Sequence, residues 1–171
     1  MTRSSDRPKR KPGSFDMIKV LNFFSTLELK RDISFLNLKS YFSPNLSSMA
    51  MKFLLQKLKG NEKIQALYLH SFDCIRDEHL ELLLDVLKHQ NCNIWCINIG
   101  EFDHVSLECW NLLADSLHET KVTHMYASEN LIQIGLKNKM RVEIRKNRSK
   151  HNMHRCISNM DVIKKCTNLW W

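Results

Sequence analysis

The residues that come nearest to a metal site are His151, His154, Cys156 and Cys166. Zinc asks for four Cys or His ligands in a tetrahedron, normally supplied as two close-spaced pairs. His151-x-x-His154-x-Cys156 offers a loose first pair, but ten residues separate Cys156 from Cys166, which is not a knuckle spacing. These residues read as a polar loop with two surface histidines and two half-buried thiols. Cys92-x-x-x-Cys96 straddles the start of an expected strand, which sends its thiols to opposite sides. Glu101, Asp103 and His104 cluster in one loop and have the types for acid–base work, but acids in such a loop are ordinarily solvated. The chain has no Gly-rich phosphate loop, no G-x-S-x-G and no H-E-x-x-H. The expectation is a protein that is not an enzyme and carries no metal or cofactor.

The basic residues give a different chemistry. Lys137, Arg141, Arg145 and Arg148 lie in the densest basic run and fall near one face if that run is helical. Four cations so placed can track a phosphate backbone. No aromatic side chain is interleaved to stack on bases, so such binding would be electrostatic and weakly selective. The alternative is the solvated outer face of a helix. Arg7-Pro-Lys-Arg-Lys11 has the form of a short nuclear-import motif, a pattern common by chance.

The net charge of +8 is unevenly spread. Residues 1–14 carry +4, residues 137–171 carry +8, and the body between them carries −4. A mildly acidic body with two basic ends suggests an anionic partner for the ends. Hydrophobic content of 43% against 26% charged residues excludes wholesale disorder. No apolar run is long enough to span a bilayer, so no membrane role is expected. The first residues show no apolar leader, and the six cysteines are scattered, which reads as free thiols inside the cell, in cytoplasm or nucleus.

The elements that must position these residues show in an internal repeat. Ile64-Gln-Ala-Leu67-Tyr-Leu69 has apolar residues at positions 1, 4 and 6. The same spacing stands at Ile33-Ser-Phe-Leu36-Asn-Leu38, Ile94-Trp-Cys-Ile97-Asn-Ile99 and Val122-Thr-His-Met125-Tyr-Ala127. Between these strands run amphipathic helices. Leu80, Leu83, Leu84 and Leu87 occupy i, i+3, i+4 and i+7, matched by Met51, Leu54, Leu55 and Leu58 before them. Trp110, Leu113, Ala114 and Leu117 repeat the phases, and Leu136, Met140 and Ile144 do so more loosely. Ser106 has the type and place of a helix cap.

A strand and a helix recurring every 28–31 residues resembles the leucine-rich repeat family, in its long ribonuclease-inhibitor-like subtype. The resemblance implies an α/β fold, a short solenoid of about four strand–helix units with capping segments. It departs at the ladder position, usually Asn, which is Tyr41, Phe72 and Phe102 here and Asn only at Asn130. Aromatic residues there imply turns held by apolar packing. The expected organisation is a basic tail over 1–14, an N-terminal cap over 15–32, the repeats over 33–147, and a basic extension and cap over 148–171. In that last segment Ile157, Met160 and Ile163 share a helical face, with Trp170 and Trp171 behind to dock on the repeats.

With positions 1, 4 and 6 facing inward, positions 3, 5 and 7 turn to the other face of the sheet. That face collects Tyr68, His70, Asn98 and Tyr126, with Trp95 at its edge. Tyr and Trp offer large contact area at low entropic cost, and concave solenoid faces are where partners sit. A protein partner on this face is the first expectation, and nucleic acid on the basic ends the second. The oligomeric state is not fixed by these residues.

Overall fold

The computed structural model describes residues 12–29, 33–69, 72–100, 103–127 and 134–151. Those residues form a mixed α/β structure. Helix α1 (Pro12–Leu29) is followed by strand β1 (Phe35–Asn37), α2 (Ser48–Leu58), β2 (Ala66–Tyr68) and α3 (Asp77–Lys88). Then come β3 (Cys96–Gly100), α4 (Leu107–Ser116), β4 (His124–Ala127) and α5 (Ile134–Lys150). The four strands make one parallel sheet in chain order. The helices stack in the same order, α1 on α2 through to α4 on α5.

The register reproduces the sequence spacing. Phe35, Ala66, Cys96 and His124 are successive partners across the sheet, as are Leu36, Leu67, Ile97 and Met125. Asn37, Tyr68, Asn98 and Tyr126 form the third row. The strands are shorter than the six-residue apolar pattern, because the ladder closes only over its middle. After Asn98 the β3–β4 register slips, and Gly100 pairs with Ala127. Gly100 sits at φ +54, in the left-handed region that a side chain disfavours, and its N–H donates to Asn98 Oδ1 at 3.1 Å.

Parallel strands need crossovers, and here each crossover helix lays its apolar stripe on the same side of the sheet. Leu36, Leu67 and Ile97 meet Leu54, Leu83 and Leu113 in one continuous buried core. Val20, Phe23, Phe24 and Leu27 of α1 close its first end. Helix α1 starts at Pro12 and so takes in the last three residues of the segment expected as tail; Pro at a first helical position gives up no needed hydrogen bond. The ladder aromatics divide. Phe72 is buried, whereas Tyr41 is 47% exposed and Phe42 beside it takes the core place; Phe102 and Asn130 lie outside the described residues.

Polar links repeat with the same period along the helix starts. Ser47 and Ser106 cap α2 and α4, their hydroxyls accepting from Ala50 N and Cys109 N. Each cap is tied to the helix before it: Ser47 N donates to Asp16 Oδ2 at 3.2 Å, and Ser106 N to Asp77 Oδ1 at 2.7 Å. Those bonds from Ser106 hold the Asp77 carboxyl below its ordinary range. Between α2 and α3 the link is His79, 1% exposed. Its Nδ1 accepts from Arg76 N at 3.2 Å, so the proton stands on Nε2, which donates to Ser48 O at 3.1 Å.

Candidate interaction surfaces

Strand alternation puts a second set of side chains on the sheet face away from the helices. Ala66, Trp95 and Cys96 form a separate buried cluster there, with Phe35 and Tyr126 packed against it. Of the expected partner-binding residues, Tyr68, Asn98 and Tyr126 stand side by side in one row. Trp95 precedes β3, and its indole N–H donates to Gln65 Oε1 at 3.4 Å. His70 lies outside the described residues.

These side chains are not open to water. Ala66, Cys96 and Asn98 are 0% exposed, Tyr68 2% and Trp95 8%; Tyr126 is half-buried. The sequence indicates which side of the sheet they take but not that this side is covered. Asn98 also carries a local duty, since its side chain holds the Gly100 amide. His124 stands edge-on to Trp95, with ring centroids 5.5 Å apart at 77°. Burial, and then the nearby Arg148 charge, push His124 down to about 4, so it is neutral at neutral pH.

Helix α5 presents Leu136, Met140, Ile144 and Asn147 to the body. At about 100° per residue, Lys137, Arg141, Arg145 and Arg148 follow one flank of that buried stripe. They are differently employed. Arg148 Nε donates to Thr123 O at 2.7 Å and so anchors the helix to the start of β4. Lys137 is half-buried and engaged, whereas Arg141 and Arg145 are exposed and make no ion pair among the described residues. On the other flank Lys139 pairs with Asp115, and Lys146 with Glu143 at 2.6 Å. Asn147 Nδ2 donates to Leu117 O at 2.8 Å and Val122 O at 2.9 Å, a second tie to the body.

A groove of about 390 Å³, which the sequence did not signal, opens at the first end between α1 and the turn after β1. Lys19, Phe23, Leu27, Ile33, Tyr41 and Phe42 are among the residues that line it, and Ile18 and Leu21 are exposed on α1.

Asp103 and His104 are exposed, Glu101 lies outside the described residues, and so do His154, Cys156 and Cys166. Among the described residues no three side chains of metal-binding type cluster. Cys92 packs in the main core and Cys96 in the second cluster, on opposite sides of the sheet. Cys74, Cys92, Cys96 and Cys109 are free thiols, and burial pushes Cys74 and Cys109 up to about 11, away from nucleophilic thiolate. Among the described residues no helix is long and apolar enough to cross a membrane. No protein-family model matches the chain, and no curated protein matches it.

Proposed function

We propose that the chain is a non-catalytic, intracellular protein-interaction module, a short leucine-rich-repeat-like solenoid of about four strand–helix units. Its partner is a protein, gripped by the sheet face that carries Tyr68, His70, Trp95, Asn98 and Tyr126. The observation that carries this reading is the register: residues about 30 apart in sequence become neighbours, so one face collects two tyrosines and an asparagine in a single row beside a tryptophan. Aromatic side chains concentrated on one face of a rigid sheet are the composition of binding hot spots. Tyr68, Trp95 and Asn98 are buried and Tyr126 is half-buried in the free chain, so a partner engages Tyr126 first and reaches the others by side-chain rearrangement.

Affinity capture from the native source, using the tagged full chain with and without nuclease, tests this reading. A nuclease-resistant protein partner that is lost with Tyr126→Ala is expected. Capture that vanishes with nuclease, or that ignores Tyr126→Ala, overturns it.

The second reading is an RNA-associated or nuclear adaptor in which α5 meets a phosphate backbone. The exposed guanidinium groups of Arg141 and Arg145, which make no ion pair among the described residues, favour it, four residues apart on one flank. Arg148, committed to Thr123, adds charge to that flank more than contact.

A further inference from the structure

Helices α2 to α5 each follow a strand of the sheet, β1 to β4 in turn. Helix α1 stacks on α2 as the later helices stack on one another. Among the described residues, however, no strand comes before α1 and none pairs with the outer edge of β1. There the helix layer reaches one unit further than the sheet. Residues 1–11, which precede α1, contain no Leu, Ile, Val or Phe, so their composition lacks the apolar positions of a repeat strand.

The groove of about 390 Å³ lies where the sheet falls short. Phe23 and Leu27 line it from α1, Ile33 from just before β1, and Phe42 from the turn after it. Phe23, Leu27 and Phe42 belong to the main core, so the groove is an extension of that core. Asn22 and Thr26, exposed and uncharged on α1, also line it.

The backbone of β1 presents hydrogen-bonding groups at the same edge. Ser34 O accepts from Ala66 N, on the β2 side, at 2.9 Å. Successive residues of a strand direct their amide and carbonyl to opposite neighbours, so Phe35 and Asn37 direct theirs outward. A sheet edge beside an apolar groove takes an extended peptide as an added strand. Main-chain bonds then give affinity, and pockets for particular side chains give specificity.

We infer that the groove and the outer edge of β1 bind an extended segment of another protein, which adds to the sheet as a fifth parallel strand beneath α1. The row it joins sets its chemistry. Its apolar side chains stand at positions 1, 4 and 6, beside Ile33, Leu36 and Leu38, which carry that spacing in β1 and its flanks. A second copy pairing through its own β1 does not fit, because its α1 overhangs the same edge and the two helices would compete for one place. The site is on the opposite edge strand from Tyr126 and does not depend on the reading of the sheet face.

The test uses the full chain and a fluorescein-labelled peptide with the sequence of residues 61–69, in which Ile64, Leu67 and Leu69 carry the spacing. Saturable binding by fluorescence polarisation is expected, at least tenfold weaker for a peptide of the same composition with that spacing scrambled. With the sheet register continued, the Gln65 and Leu67 amides of the peptide face β1, and those of Ala66 and Tyr68 face away. N-methylation of the first pair is expected to abolish binding and of the second pair to leave it intact. Any other pattern, or no saturable binding of the parent peptide, overturns the proposal. Thr26→Glu places a carboxylate at the groove from an exposed position and is expected to weaken binding at least tenfold, with circular dichroism unchanged. Unaltered binding on an intact fold overturns the proposal; should the variant unfold, the methylated peptides on the parent chain decide. A dimer seen by sedimentation equilibrium and lost with Thr26→Glu would make a second copy the occupant, which also overturns it. The two ideas fail separately: peptide binding abolished by Tyr126→Ala but not by Thr26→Glu sinks the edge site alone, and binding with the expected pattern leaves the sheet face to its own test.

Discussion

Arg148, in the last turn of α5, donates from Nε to the carbonyl of Thr123 at 2.7 Å, joining the end of the last helix to the start of the last strand. The bond fixes where the chain leaves α5 and places a guanidinium beside His124. Removing it with Arg148→Ala is expected to cost about 1.5–3 kcal/mol, the range for a hydrogen bond in which one partner is charged. Denaturant unfolding checks this. Arg141→Ala, on the exposed part of the same flank, is expected to stay within about 0.5 kcal/mol of the parent.

The His124 environment gives a pH dependence with a definite sign. Its folded-state pKa, about 4, lies below the ordinary value of 6.5, so the unfolded chain binds more protons between the two. The contribution to stability is present above about pH 6.5 and is lost as the pH falls toward 4. His124→Gln removes the titration, and the stability difference between parent and variant is expected to change across that window. A difference independent of pH would show that His124 is not held neutral. The Asp77 carboxyl, also held low, gives the same sign at lower pH and is common to both proteins.

His79 is a polar staple between the starts of α2 and α3. His79→Ala leaves Ser48 O and Arg76 N without their partner and is expected to destabilise by about 2–4 kcal/mol. His79→Gln keeps a donor for Ser48 O but loses the acceptor for Arg76 N, so an intermediate loss is expected. Equal stability of parent and His79→Ala, measured by urea denaturation, would refute the staple.

Gly100 at φ +54 makes the bulge that ends the β3–β4 ladder. Gly100→Ala forces a side chain into the left-handed region, at about 1–2 kcal/mol. A lowered melting temperature with unchanged far-ultraviolet circular dichroism is expected; no change would mean that the bulge relaxes freely.

If α5 meets phosphate, affinity for a single-stranded RNA oligomer is expected to fall linearly with the logarithm of salt concentration. Arg141→Glu with Arg145→Glu is then expected to flatten that slope by roughly 1.4, about 0.7 for each contact. An unchanged slope removes the adaptor reading.

Much of this architecture is legible in the sequence, for a physical reason. A sheet built from like units must bury the same positions in each, so Leu36, Leu67, Ile97 and Met125 share a spacing and become ladder partners. The helix stripes follow from the same demand. What is not legible depends on contacts at long range. His79 looks like part of an acidic helix start until Ser48, 31 residues earlier, is seen against it. The turn after β1 buries Phe42 rather than Tyr41, which adjacent aromatics alone do not decide. The basic spacing in α5 identifies a flank but does not separate Arg148, spent on Thr123, from the exposed Arg141 and Arg145. Alternation assigns Tyr68 and Asn98 to a face, but strand periodicity carries no information on what lies over it.

The central proposal, a protein partner on the sheet face, is tested most directly by the affinity of the captured partner for the full chain with and without Tyr126→Ala. Tyr126 is half-buried on that face, and its ring can be removed without opening the main core. At least a tenfold weaker Kd is expected, about 1.4 kcal/mol, with circular dichroism unchanged. An unchanged Kd on an intact fold would contradict it and move the partner to another surface.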